Sequence, residues 1–369
     1  MGLRALALSL AVAAGLLVPA APASAVVVNT APPVVSGSPE HGGTLRAGRG
    51  SWAPAPTAYS FQWLRDGSPV RGATDRRYRL GLDDLGARLA VTVTATDSVG
   101  DSASATSAAT APVRRARLAN RRPPTIDGEL RFGRIVTARP GRWSTRPARV
   151  RYQWLRGARP IRGATGARYA VAPADVGRRL RVRVEVRAPG HRPAERLSVR
   201  REAVRHRVDV RRTVTYRVET RGRVTASVRQ FRRLVQQTYD HPRGWRGAGV
   251  RFRPVARGGQ ISVVLAEASR VPDFSPVCSS TWSCRVGRYV IINQDRWKHA
   301  SPAWNAANGA LRGYRHMVVN HETGHWLGFG HAGCPGRGRP APVMMQQSKG
   351  LDGCRFNPFP TLGELGRAR

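Results

Sequence analysis

The sequence predicts a multidomain chain: two all-β sandwich modules followed by an α+β domain. Three observations carry this. The first half repeats itself at a constant offset of 91 residues, since Trp52 recurs as Trp143 and Gln62-Trp63-Leu64-Arg65 as Gln153-Trp154-Leu155-Arg156. Within each copy apolar residues alternate with period two, the signature of half-buried strands. From about Val208 the period changes, and strand-like and helix-like runs follow one another.

The offset holds through Gly72-Ala73-Thr74 and Gly163-Ala164-Thr165, Tyr78 and Tyr169, Asp84 and Asp175, and Gly86 and Gly177. Tyr59, Phe61 and Trp63 alternate in one copy, and Val150, Tyr152 and Trp154 in the other. Leu89, Val91 and Val93 alternate likewise, matched by Leu180, Val182 and Val184. Asp66-Gly67 suits a tight hairpin turn. Alternation places Trp63 and Trp154 on a buried face, as core rather than as carbohydrate platforms. Short strands around a central tryptophan suggest an immunoglobulin-like sandwich. The copies resemble the Ig-like modules of bacterial surface and secreted proteins. Neither contains cysteine, so an inter-sheet disulfide is not expected. The boundaries read as 31–115 and 122–205, with the last domain at 207–369.

In that last domain Val214 to Val218 reads as a strand. Val224, Val228, Phe231 and Val235 recur at helical spacing over a run ending near Tyr239. His241-Pro242-Arg243-Gly244 is a turn. Val250 to Val255, Ile261 to Leu265 and Tyr289 to Ile292 read as strands, with Val271 to Arg285 as a loop. Leu311, Tyr314, Val318, His321 and His325 follow 3,4,3,4 spacing, and Ala310 to Leu327 lacks proline, so a helix is expected there with Pro302 near its start.

That helix leads into the segment with the most chemical content, His321-Glu322-Thr323-Gly324-His325-Trp326-Leu327-Gly328-Phe329-Gly330-His331. It reads H-E-x-x-H-x-x-G-x-x-H. On a helix His321 and His325 lie one turn apart and face the same way, so both imidazoles reach one Zn²⁺. Gly328 ends the helix, because glycine tolerates a left-handed backbone, and the turn returns His331 as third ligand. Three protein ligands leave a position open, the catalytic rather than the structural pattern. Glu322, next to the first ligand, is placed to take a proton from water.

The pattern resembles the metzincin clan of zinc endopeptidases. The last 160 or so residues also resemble an uncharacterised family of secreted metzincin-like domains from high-GC Gram-positive bacteria, through His241-Pro242-Arg243-Gly244-Trp245, Val319-Asn320 and Ala341-Pro342-Val343-Met344 with Gln346-Gln347. The resemblance implies a methionine turn beneath the metal. Met344, directly after Pro-Val, is the expected residue, with Met345 as alternative. Some metzincins place a tyrosine just after this turn; here Gln346 and Gln347 stand there, so no tyrosine switch is expected. The resemblance also implies a sheet-edge strand that pairs with bound peptide. Tyr289 to Asn293 is the candidate, with an ordinary interior strand as the alternative.

Weaker candidates surround the motif. His316 falls on another helix face, His241 and His299 lie in loops, and all three read as solvent-exposed. Asp273 and Asp295 are available to tune the site from behind the ligands. His206 reads as linker.

Cys278, Cys284, Cys334 and Cys354 are the chain's only cysteines. In an exported chain they imply two disulfides with three possible pairings, of which Cys278–Cys284 and Cys334–Cys354 close short loops. A four-cysteine zinc site is the alternative, but the spacings fit no paired C-x₂-C pattern. Export is expected from residues 1–25. Arg4 precedes an apolar run from Ala5 to Val18, and Ala23-Ser24-Ala25 offers a cleavage site, so the mature chain should begin at Val26. The run is too short to span a bilayer comfortably, and no later segment approaches that length. The formal charge of +40 is nearly all arginine, Lys298 and Lys349 being the only lysines. No helix-turn-helix, zinc-finger or RRM signature accompanies it, so no specific nucleic-acid partner is expected. The field suits anionic wall polymers or acidic lipids.

The sequence thus reads as a secreted zinc metallopeptidase acting on peptide or protein substrates, with the Ig-like pair holding it at a surface. The alternative is a non-catalytic surface-binding protein with a structural or vestigial zinc site.

Overall fold

The computed structural model describes residues 26–368, and the expected leader at residues 1–25 lies outside them. The chain divides into two compact units. One runs to Leu118 and takes in Arg187–Ala194; the other comprises Ala119–Val186 and Glu195–Arg369.

The repeat seen in the sequence is a repeat of sheets. In the first copy Ser68–Pro69, Ala58–Arg65, Leu89–Thr96 and Ser102–Thr106 form a four-stranded sheet in that order. Val35–Ser36, Thr44–Ala47 and Arg77–Arg79 form a three-stranded one. These strands pair antiparallel. The second copy repeats this with Arg159–Pro160, Arg149–Arg156, Leu180–Arg187 and Ala194–Leu197 opposite Thr125–Asp127, Ile135–Arg139 and Arg168–Ala170. Both are β-sandwiches. Asp66 and Gly67 take φ of 46° and 82°, as a two-residue hairpin of the primed kind requires.

The residues that recur have one job in both copies. Trp63 and Trp154 are fully buried, and their indole N–H groups donate to the Asp75 and Gly166 carbonyls at 2.8 and 2.9 Å. Asp84 and Asp175 are also buried. Each accepts from an arginine Nε (Arg65, Arg156) at 2.7 Å, from a tyrosine hydroxyl (Tyr78, Tyr169) and from a backbone N–H (Gly81, Ala172). A buried carboxylate is tolerated because both of its oxygens accept from donors. That requirement explains why the Trp, Tyr, Arg and Asp positions were kept together through the duplication.

The last domain is α+β. Its five strands lie in the order Val250–Pro254, Arg212–Arg221, Ile261–Ala266, Tyr289–Asn293, Cys284–Val286. The first four are parallel and the last is antiparallel. Tyr289–Asn293 is therefore an interior strand, and the edge belongs to Cys284–Val286, inside the segment read as loop. Helix α1 (Val228–Asp240) connects two parallel strands, as parallel pairing demands. Its N-cap Ser227 accepts from the Gln230 N–H at 3.2 Å.

Ile261–Ala266 is buried at every position. Val263 and Leu265 face the main core with Phe231, Trp245, Tyr314 and Met317. Val264 and Ala266 face a second cluster with Val271, Cys278 and Ile291. A strand covered on both faces reads as continuous apolar sequence. After α2 (Gln294–His299), Pro302 does not begin the zinc-motif helix. It opens its own short helix, α3 (Pro302–Ala306), capped by Ser301. The motif helix, α4, is Leu311–Trp326. Both disulfides form as expected, Cys278–Cys284 and Cys334–Cys354, and no described cysteine is free. Among the described residues no helix is long and apolar enough to cross a membrane.

Candidate metal centre

Helix α4 carries His321 and His325 on one face and ends where its sequence says it must. Gly328 has φ +95°, a conformation L side chains resist. Its N–H donates to the His325 carbonyl at 3.1 Å and the Phe329 N–H to the Gly324 carbonyl at 3.0 Å, closing a Schellman turn. The same turn orients a ligand. The Phe329 carbonyl lies 2.8 Å from His325 Nδ1, and the Val343 carbonyl lies 2.8 Å from His321 Nδ1. A carbonyl only accepts, so both Nδ1 atoms carry the proton and both Nε2 atoms present lone pairs.

Those lone pairs converge. His325 Nε2 is 3.2 Å from His321 Nε2 and 3.2 Å from His331 Nε2, and the three rings offer ligand atoms within 4.8 Å of one another. Neither neutral ring of the His321–His325 pair has a proton left to donate to the other. Protonating His321 is disfavoured, since burial lowers its pKa to about 3. Burial lowers those of His325 and His331 as well. Two facing lone pairs at this distance leave room for a cation between them. Tetrahedral zinc with Zn–N bonds of about 2.0–2.1 Å sets ligand nitrogens about 3.3 Å apart, so the residues present fit that ion.

Beneath the ligands, Met344 is fully buried. A Cβ at Gly324 would overlap its sulphur and lie 2.9 Å from Trp245 Cζ2. The glycine between the two helical histidines is thus a contact point for the turn that carries Met344. Met345 lies elsewhere, clustered with Ala341 and Cys354. Gln347 is buried and structural: its amide donates to the Pro342 and Asn357 carbonyls. Gln346 is exposed and lines the cavity.

Glu322 is 6% exposed and lines a cavity of about 430 Å³ together with the three histidines. Among the described residues no group hydrogen-bonds its carboxylate. Burial pushes its pKa up to about 8, and the Arg285 guanidinium opposes the rise. A divalent cation on the histidines acts in the same direction as Arg285.

Several supports escaped the sequence reading. Glu364 is buried and accepts from the Met344 N–H at 2.9 Å and the Val343 N–H at 3.1 Å, so one carboxylate fixes the turn that carries both the methionine and the carbonyl behind His321. The signal was present as Thr361-x-x-Glu364, a capping box. Trp245 donates to the Asn320 carbonyl at 2.9 Å, and Tyr239 hydrogen-bonds Thr323 at 3.0 Å, pinning α4 from two sides. Arg285, on the edge strand, donates to the His325 carbonyl at 2.8 Å.

The weaker candidates do not join the site. His316 is not exposed: it is buried against Thr238 Oγ1 at 2.8 Å, because α1 covers that face of α4. His241 stacks on Phe359 at 3.9 Å between ring centroids. His299 ends α2 and is exposed. Asp273 pairs with Arg270 and Asp295 with Lys298. Half-buried His206 has its pKa lowered to about 4, by burial first and by Arg246 second.

Residues 194–360 match the family described as Protein of unknown function (DUF3152). The match begins in the last strand of the second sandwich and covers the three clustered histidines and Met344. No curated protein matches the chain. Among solved structures it is similar to three N-terminal domains of the highly immunogenic outer capsid protein Hoc of bacteriophage RB49, at 15% identity and TM-score 0.24. That likeness covers 51% of this chain and 65% of the other. It is also similar to a two-domain fibronectin type III segment of chicken tenascin, at 12% identity and TM-score 0.23, covering 46% of this chain and 99% of the other. The amphioxus IgVJ-C2 molecule is similar at 14% identity and TM-score 0.21, covering 47% and 97%. At these scores none carries an argument about function.

Proposed function

We propose that the chain is an exported zinc metallopeptidase of metzincin type, with the two sandwich modules holding it at or spacing it from a surface. The observation that carries this reading is Glu322, buried beside three converging histidines with no protein partner of its own. Its carboxylate opens on the cavity instead of on a protein donor, as a group that acts on a bound molecule must. A site kept only for structure has no use for one, which argues against the vestigial alternative.

His321, His325 and His331 would hold the ion, each through Nε2. Zinc bound there supplies a Lewis acid that polarises a peptide carbonyl and acidifies water. Glu322 takes a proton from water and delivers it to the leaving amine. Burial alone raises its pKa, and a cation on the histidines would draw it back toward the ionised form that accepts a proton. The Val343 and Phe329 carbonyls keep the histidine tautomers fixed throughout. The antiparallel edge strand Cys284–Val286 supports the expected pairing with an extended peptide better than Tyr289–Asn293, whose two edges are both occupied. The disulfides and the expected leader support export.

The test is to incubate the zinc-loaded chain with a mixed peptide library and read cleavage by mass spectrometry, with and without a chelator. Cleavage that disappears with chelator and returns with zinc supports the reading. Cleavage indifferent to chelator, or none at all, overturns it.

A further inference from the structure

The cavity beside Glu322 has three walls. Val277 to Arg285 supplies one, α4 supplies the floor, and Gln346 to Lys349 supplies the third. Apart from Glu322 and the histidines, only Arg285 and Lys349 among the lining residues are charged. They come from opposite walls and carry the same sign. Neither forms an ion pair with a carboxylate among the described residues, whereas the other lysine, Lys298, pairs with Asp295.

Arg285 is also held in place. One Nη donates to the His325 carbonyl at the end of α4, where a cation complements the helix dipole. Its remaining N–H groups have no partner among the described residues. A guanidinium fixed at one edge with free donors is suited to receive a carboxylate in two-pronged fashion. Lys349 is exposed, and its ammonium is a point charge rather than a fork.

We infer that this cleft selects acidic peptides, with Asp or Glu side chains on both sides of the bond placed over Glu322, one meeting Arg285 and the other Lys349. That a bond is cleaved there rests on the peptidase reading; the binding preference does not. Basic peptides are excluded by the same two charges, with no acidic side chain in the cleft wall to offset them.

A chain of charge +40 attracts any polyanion, so the test must separate the cleft from the bulk field. Fluorescein-labelled decapeptides are prepared in three matched versions, with Asp and Glu, Asn and Gln, or Lys and Arg flanking a central apolar pair. Binding is measured by anisotropy at 150 and 500 mM salt on zinc-loaded Glu322→Ala protein, where no turnover interferes. The acidic version should bind at least about tenfold more tightly than the amide version at both salts. Arg285→Gln and Lys349→Gln should each cut that ratio at least about threefold, while Arg251→Gln, on an exposed strand position, leaves it unchanged. Lys349 lies on the surface, so its replacement tests the idea even if Arg285→Gln loosens the end of α4.

Equal ratios in all three variants, or a ratio that vanishes at 500 mM salt, overturn the inference. Selectivity that depends on Arg285 and Lys349 in a chain that cleaves nothing upholds it and sinks the peptidase reading instead. Efficient cleavage without preference for acidic flanks does the opposite.

Discussion

The sulphur of Met344 occupies the space that a β-carbon on Gly324 would need. The glycine is not there for helix flexibility, since it sits inside α4 between two ligands, where glycine costs about 1 kcal/mol relative to alanine. It is there because the methionine turn approaches the helix too closely for any side chain. Gly324→Ala should therefore destabilise the chain despite its better helix propensity, by ~1–3 kcal/mol, the usual scale of overpacking. Thermal unfolding measures it. Adding Met344→Ala should recover part of the loss, and additive losses in the double variant would refute the contact.

Glu364 ties the methionine turn to α5 (Leu362–Arg367) through the N–H groups of Val343 and Met344 and of its own cap Thr361. Glu364→Gln keeps the size but turns an N–H₂ toward donors that need an acceptor. A loss of ~1–3 kcal/mol is expected from the buried donors left unmatched. Zinc affinity should weaken as well, because the Val343 carbonyl that orients His321 belongs to the same turn. Unchanged stability and zinc affinity together would show that the carboxylate is dispensable.

The fold and the site differed in how legible they were. The ligands, Glu322 and the Schellman glycine Gly328 are local in sequence, so helical spacing exposes them directly. The duplicated Trp63 and Asp84 networks were visible because two copies of one constraint survive side by side. Cys284–Val286 was not, since three residues are too few to show a period of two. His316 read as exposed because its cover, Thr238 on α1, is remote in sequence. Glu364 announced itself as a cap, but the two N–H groups it receives from Val343 and Met344 are a tertiary matter. Pro302 marked a true helix start, but of a separate helix capped by Ser301.

Acid should unfold this chain partly through His316. Burial lowers its pKa to about 4, with the Arg312 charge adding to the effect, while His241 and Thr238 face it from the neighbouring elements. The unfolded value is about 6.5. A depressed histidine contributes stability that is fully present above 6.5 and is lost as pH falls toward 4, because the unfolded chain takes up the proton first. Relative to His316→Gln, the parent chain should lose on the order of 3 kcal/mol between pH 7 and pH 4. Urea unfolding across that range reads the difference, and parallel stability curves would contradict it.

The Cys334–Cys354 bond closes a loop of 20 residues in sequence that contains the methionine turn. Replacing both cysteines by serine should cost ~2–4 kcal/mol, mostly through the freedom returned to the unfolded chain. The loss should appear in thermal unfolding of metal-free protein as well as zinc-loaded protein. A variant as stable as the parent in both states would show that the bond does not constrain this region.

Glu322→Ala tests the central claim most directly, because it removes the proposed base and no ligand. Zinc content and peptide hydrolysis are measured on the same preparation. Zinc should stay near one per chain while hydrolysis falls at least ~10²-fold, the scale of a lost general base. Hydrolysis that survives the substitution unchanged, with zinc still bound, would contradict the assignment of Glu322 and with it the proposed mechanism.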